Sequence, residues 1–184
     1  TKKAAARGEK VALFCFNSNL ADWLGSYFSN QPDSLQPCFV GTFHKYMTQV
    51  AKEGNLLPAY PKDPDKQQQY FQEDLPEAAA LALLESGAQF DKIVLDEAQD
   101  LIRDSYLEVF GACLERGLSR GRWTMFGDFS MQAIYTDGMT GTQMIEKLED
   151  QTSFIRFKLT VNCRNTRPIC REIETVTGFK SPSD

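Results

Sequence analysis

Lys92-Ile93-Val94-Leu95-Asp96-Glu97-Ala98-Gln99-Asp100 is an apolar run that stops abruptly in acid. The short run KIVL predicts a strand buried on both faces, the kind found inside parallel sheets. Ligands of open parallel sheets bind beyond the carboxyl ends of the strands, so Asp96 and Glu97 stand where chemistry is expected. Neighbouring side chains on a strand end point in different directions. One carboxylate can hold a hydrated Mg²⁺ while the other polarises a water, since Mg²⁺ takes one or two carboxylates together with waters and phosphate oxygens. The competing reading is that Asp96, Glu97 and Asp100 only cap a following helix, because acids favour helix N-termini.

Working outward, the same alternation of strand and helix recurs on both sides. Val11 to Phe16 (VALFCF) is another continuous apolar run. Asn17, Ser18 and Asn19 supply cap chemistry behind it. Leu20, Trp23, Leu24, Tyr27 and Phe28 then follow helical spacing. Cys38 to Thr42 predicts a short strand, and Phe43 to Lys52 a helix that stops before Gly54. Residues 54 to 74 break the rhythm with Pro58, Pro61 and Pro64 and read as an insertion or loop excursion. Asp74 as cap and Pro76 in the first turn predict a helix over 77–85. Beyond the acidic segment come a helix marked by Leu107, Phe110 and Leu114, and a strand over 122–126. A short helix over 142–148, a strand over 154–159 and a last helix over 165–176 follow. Alternating strands and helices mean an α/β fold: a parallel sheet with helices on both faces.

Composition narrows the function classes. The chain has 184 residues and a net charge of -5, which argues against holding nucleic acid by bulk positive charge. Five cysteines without a CxxC pair, and a single histidine, suggest neither a disulfide framework nor a zinc site. That cysteine usage points to a reducing compartment, the cytoplasm. No apolar run reaches the roughly 18 residues of a membrane span, so no membrane partner is expected. The opening residues 1–8 read as the tail of a helix with its glycine stop.

Two loops downstream carry further candidates. Phe126-Gly127-Asp128-Phe129-Ser130-Met131-Gln132-Ala133-Ile134-Tyr135 leaves a strand through a Gly-Asp turn. The Gln132 amide can sense a γ-phosphate or the water attacking it; read alone, it is equally a surface glutamine. Leu159-Thr160-Val161-Asn162-Cys163-Arg164-Asn165 places Arg164 on a loop after a strand. Its planar fork suits phosphate oxygens, although a solvated loop arginine looks the same.

Taken in order, these segments resemble the motifs of superfamily 1 DNA helicases of the UvrD/Rep/PcrA type. Asp96-Glu97-Ala98-Gln99-Asp100 is similar to the Walker B box, motif II. Gly127-Asp128 with Gln132 to Tyr135 is similar to motif III. Leu159 with Asn162-Cys163-Arg164-Asn165 is similar to motif IV, with Cys163 where the family usually has Tyr. Phe16-Asn17 with Leu20-Ala21-Asp22 resembles motif Ia, and Gly41-Thr42-Phe43-His44 the TFH segment. The resemblance implies one partial helicase domain 1A over residues 1–184, with a reduced 1B-like insertion at about 54–86. It implies a RecA-like P-loop NTPase core, ATP and Mg²⁺ as ligands, single-stranded or duplex DNA as partner, and a second RecA-like domain in the same parent chain.

It also implies roles. Asp96 would hold Mg²⁺ through its waters, with Glu97 beside it orienting or activating the attacking water. Gln132 would report on the γ-phosphate and Arg164 would contact it. Phe16, Asn17, Thr42, Phe43, His44 and Tyr135 become DNA-contact candidates, since aromatic stacking on bases suits a translocating motor. For Phe16 and Phe43, burial in the core is the rival expectation. The match fails at the phosphate loop: no GxxxxGK[ST] occurs in the chain. The expectation is therefore a core incomplete at its N-terminal strand and phosphate loop, inactive alone, within a parent that is a DNA-dependent ATPase. A degenerate helicase-like scaffold that binds DNA or protein is the alternative.

Overall fold

The computed structural model describes residues 1–129, 139–159 and 166–178. The chain divides into two compact units, Thr1–Ser153 and Phe154–Asp184.

The first unit is built on a four-stranded parallel sheet in the order β2-β1-β3-β4. Its strands are β1 (Val11–Cys15), β2 (Phe39–Thr42), β3 (Lys92–Leu95) and β4 (Arg122–Met125). Every residue of β1 is buried, as the unbroken VALFC run requires of a strand covered on both faces. Helices lie on both sides. Leu13, Cys15 and Val94 pack with Ala21 and Phe28 of α2 (Ser18–Ser29) on one face. On the other face the Phe14 ring meets Phe43 and Tyr46 of α3 (Phe43–Glu53) and Phe110 of α6 (Asp104–Cys113). The α/β architecture with helices on both faces is as expected.

Local chemistry fixes the helix starts. Asn17 accepts the amide of Leu20 and Thr42 that of Lys45, so each strand ends directly in a capped helix. A short α1 (Lys2–Ala5) precedes β1, and Gly8 closes it at φ +75°. Downstream, α7 (Gly117–Arg120) leads into β4, and α8 (Gly141–Gln151) opens on a capping box between Thr140 and Gln143.

Three expectations change. First, residues 54–74 are not a loop throughout. From Pro64 the chain is helical: α4 (Pro64–Gln69), a π-helical turn (Tyr70–Asp74) and α5 (Leu75–Ser86) follow without a break. Asp74 is therefore helical itself and makes no side-chain cap. The π turn diverts two carbonyls outward, and α6 satisfies them: the Ser105 hydroxyl donates to Gln72 O (2.6 Å) and the Tyr106 hydroxyl to Phe71 O (3.1 Å). Second, the apolar stripe of α2 is not all buried. Trp23 and Tyr27 stack on each other outside the core (5.8 Å between centroids), and burial falls on Ala21 and Phe28.

Third, in the second unit residues 154–159 form no strand. Alternation of Ile155, Phe157 and Leu159 with Arg156 and Lys158 describes a strand face, but a strand also needs a hydrogen-bonded neighbour, which alternation does not supply. The same unit contains α9 (Arg167–Thr177), with Pro168 in its first turn and Gly178 left-handed at its end.

Candidate functional site

Because all four strands are parallel, their carboxyl ends share one rim. Phe16-Asn17 leave β1 there, Thr42-Phe43-His44 leave β2, Asp96-Glu97 leave β3 and Phe126-Gly127-Asp128 leave β4. The chain runs from β1 to β2 on one side and then crosses to β3 on the other. That reversal opens the crevice where ligands of such sheets bind. The segments after β1 and β3 flank it.

The turn after β3 is strained. Glu97 sits at φ +53°, ψ 45°, a left-handed conformation uncommon for a residue with a side chain. The strand ladder holds it from both sides: Asp96 N–H donates to Phe14 O (2.9 Å), Phe126 N–H to Leu95 O (2.9 Å) and Ala98 N–H to Phe126 O (2.8 Å). Gln99 is only 2% exposed. Its amide nitrogen donates to Glu97 Oε2 (2.8 Å) and Asp100 Oδ2 (3.3 Å), and its oxygen accepts Asp128 N–H (3.1 Å). The opposite amide orientation would face two carboxylates with oxygen and an N–H with nitrogen, so the bonding pattern fixes this one. Gly127 is required beside it: a Cβ there would come within 2.6 Å of Gln99 Oε1.

Asp96 and Glu97 are both half-buried. Two adjacent carboxylates fit the donor set of Mg²⁺ arriving with phosphate oxygens and waters. Among the described residues there is no group of three or more His, Cys, Asp or Glu that would hold a metal unaided. Close by, burial, reinforced by the Asp96 charge, raises the Cys15 thiol to about 11, so it stays protonated and unreactive at neutral pH.

His44 is set apart by its partners. The Tyr106 hydroxyl gives its proton to Phe71 O, so it accepts from His44 Nε2 (2.7 Å). Burial, with the Arg103 charge adding to it, pulls the imidazole down to about 4. It is a neutral ring at physiological pH, edge-on to Phe16 (6.4 Å) and Phe71 (5.2 Å).

Phe43 must be corrected as a DNA-contact candidate. It is fully buried, stacked on Phe110 at 4.1 Å and edge-on to Phe14 and Tyr106. A ring with no exposed face has nothing to offer a base. Its place was readable, since Phe43, Tyr46, Met47 and Val50 follow the i, i+3, i+4, i+7 spacing of a buried helical stripe. Phe16 is half-buried and Asn17 exposed. The Asn17 and Thr42 side chains are each occupied as helix caps. Gln132, Tyr135 and Arg164 lie outside the described residues. Gln99, Tyr106 and Phe71 are the residues that sequence reasoning passed over. Gln99 stood inside the acidic segment, but its burial depends on the turn after β4.

The fold and rim define a parallel α/β protein with an acidic strand end at its crevice. No protein-family model, curated protein or solved structure matches the chain. Among the described residues no helix is long and apolar enough to cross a membrane.

Proposed function

We propose that this chain carries part of the ATP-hydrolysing motor of a UvrD-like superfamily 1 DNA helicase. The observation that supports it most is the placement of Asp96-Glu97-Ala98-Gln99-Asp100. The two acids leave a buried parallel strand at the sheet's switch point, between the segments that end β1 and β4. On this reading the sheet is a RecA-like P-loop NTPase core.

Asp96 would help hold Mg²⁺, and that ion would neutralise phosphate charge when bound. Glu97 orients the attacking water and takes its proton as the water oxygen bonds to the γ-phosphorus and the bond to the ADP oxygen breaks. Gln132 and Arg164 answer to the γ-phosphate. Phe16, Asn17, Thr42, His44 and Tyr135 line the path of single-stranded DNA. The 184 residues contain no GxxxxGK[ST], so on this reading they do not by themselves supply the phosphate cradle.

The test is ATP turnover by protein that joins these residues to a phosphate loop and second motor domain. Single-stranded DNA stimulates it, and Glu97→Gln lowers kcat by about 10²-fold or more. Residues 1–184 alone stay at background. Turnover indifferent to DNA rules out the helicase reading. Appreciable Mg²⁺-dependent hydrolysis by residues 1–184 alone, lost in Glu97→Gln, rules out the divided site.

A further inference from the structure

The Gln99 side chain joins two segments that the backbone leaves separate. The backbone ladder between the β3 and β4 segments runs as far as Ala98 N–H to Phe126 O. The Gln99 amide continues the connection. One end holds Glu97 Oε2, and the other holds the Asp128 amide, in the segment that leaves β4. Both contacts belong to one rigid planar group, so the two ends cannot shift independently. The side chain is also confined. It is buried, with Asp100 Oδ2 on its second N–H, and Gly127 lies so close that even a methyl group would displace it.

The carboxylate at the other end needs such a support. Glu97 occupies a left-handed turn and makes no cap bond to the short 3-10 turn it precedes, Ala98–Asp100. Small backbone changes in that turn would swing a free glutamate by more than the tolerance of about 0.5 Å that catalytic constellations require.

We propose that Gln99 is a positioning residue: it fixes the Glu97 carboxylate and couples it to the backbone at Asp128, so that loss of either contact loosens the other. The role in hydrolysis rests on the motor reading above; the coupling itself does not.

Two measurements separate them. The first is amide hydrogen exchange at Asp128 in the 184-residue chain. Gln99→Met keeps the length of the side chain and removes its bonds, raising exchange by about tenfold. Glu97→Ala, which does not touch Asp128, also raises it severalfold, because the Gln99 amide loses its anchor. The double variant matches Gln99→Met alone, the non-additivity expected of one linked unit. If Glu97→Ala leaves Asp128 exchange unchanged, the coupling is refuted.

The second measurement uses Gln99→Glu, which keeps the shape and an oxygen for Asp128 N–H but cannot donate to Glu97 while ionised. Exchange at Asp128 rises as it does in Glu97→Ala, because the ionised side chain has no N–H to anchor it to Glu97. In the assembled motor kcat falls at neutral pH with KM for ATP little changed, and recovers as the pH drops and the substituted carboxyl regains a proton to donate. A mere packing role would give no such pH recovery. Full turnover at neutral pH in Gln99→Glu overturns the positioning role. Absence of turnover in the wild-type assembled motor overturns the hydrolysis reading and the positioning role in it, while the exchange result still decides the coupling.

Discussion

Replacing Phe43 tests its place in the core against the expectation that it contacts DNA. The ring has no solvent exposure and sits between three others: Phe110 stacked at 4.1 Å, Phe14 at 5.2 Å and Tyr106 at 5.4 Å. Phe43→Ala loses the burial of the ring and leaves a cavity lined by aromatic faces that cannot close over it, at a cost of about 3–5 kcal/mol. The lost ring pair accounts for about 0.5–1.5 kcal/mol of that. Phe43→Leu fills most of the space and costs about half as much. With a urea slope of about 2 kcal/mol per molar, Phe43→Ala lowers the unfolding midpoint by about 2 M. The assay is urea unfolding followed by circular dichroism, paired with fluorescence anisotropy on a labelled oligo-dT under conditions where each variant is folded. On the proposed motor reading, affinity for the oligonucleotide stays within twofold of the parent. A Phe43→Ala protein with an unchanged midpoint and lost DNA binding would show that the ring works at the surface and that the core assignment is wrong.

Two further outcomes test other parts of the structure. His44 is held neutral, with its folded value near 4 against about 6.5 when unfolded, so only the unfolded chain takes up a proton between those values. Its contribution is intact above pH 6.5, is lost progressively as the pH falls toward 4, and totals up to about 3 kcal/mol; His44→Gln flattens this part of the stability–pH curve, and an unaltered curve in that variant contradicts the burial argument. Thr140→Ala breaks the capping box of α8 and costs about 1 kcal/mol, read as a lowered melting temperature, whereas Thr140→Asp restores most of it.

The sheet was legible because its signals are local. Val11 to Cys15 is apolar without interruption, and only a strand buried on both faces explains so short a run bracketed by polar turns. Asp96 and Glu97 could be placed on the rim for the same reason: the run KIVL ends where they begin. The readings that changed depend on contacts distant in sequence. Nothing near Tyr70 announces a π turn, because the hydroxyls that donate to its diverted carbonyls come from Ser105 and Tyr106, more than thirty residues on. Trp23 and Leu24 look alike in an apolar stripe, and only the position of the sheet decides which is covered. Residues 154–159 show the reverse case, a strand pattern without a ladder.

The π turn has a geometric consequence for the helix that contains it. Tyr70 and Leu75 are both buried although five positions separate them. Five α-helical steps of about 100° each would leave their side chains some 140° apart, on different flanks. The wider turn brings the two back toward one side. It thus acts as a phase shifter between Pro64–Gln69 and Leu75–Ser86, and deleting a single residue from it would rotate the whole of α5 by about a quarter turn against α3 and α6.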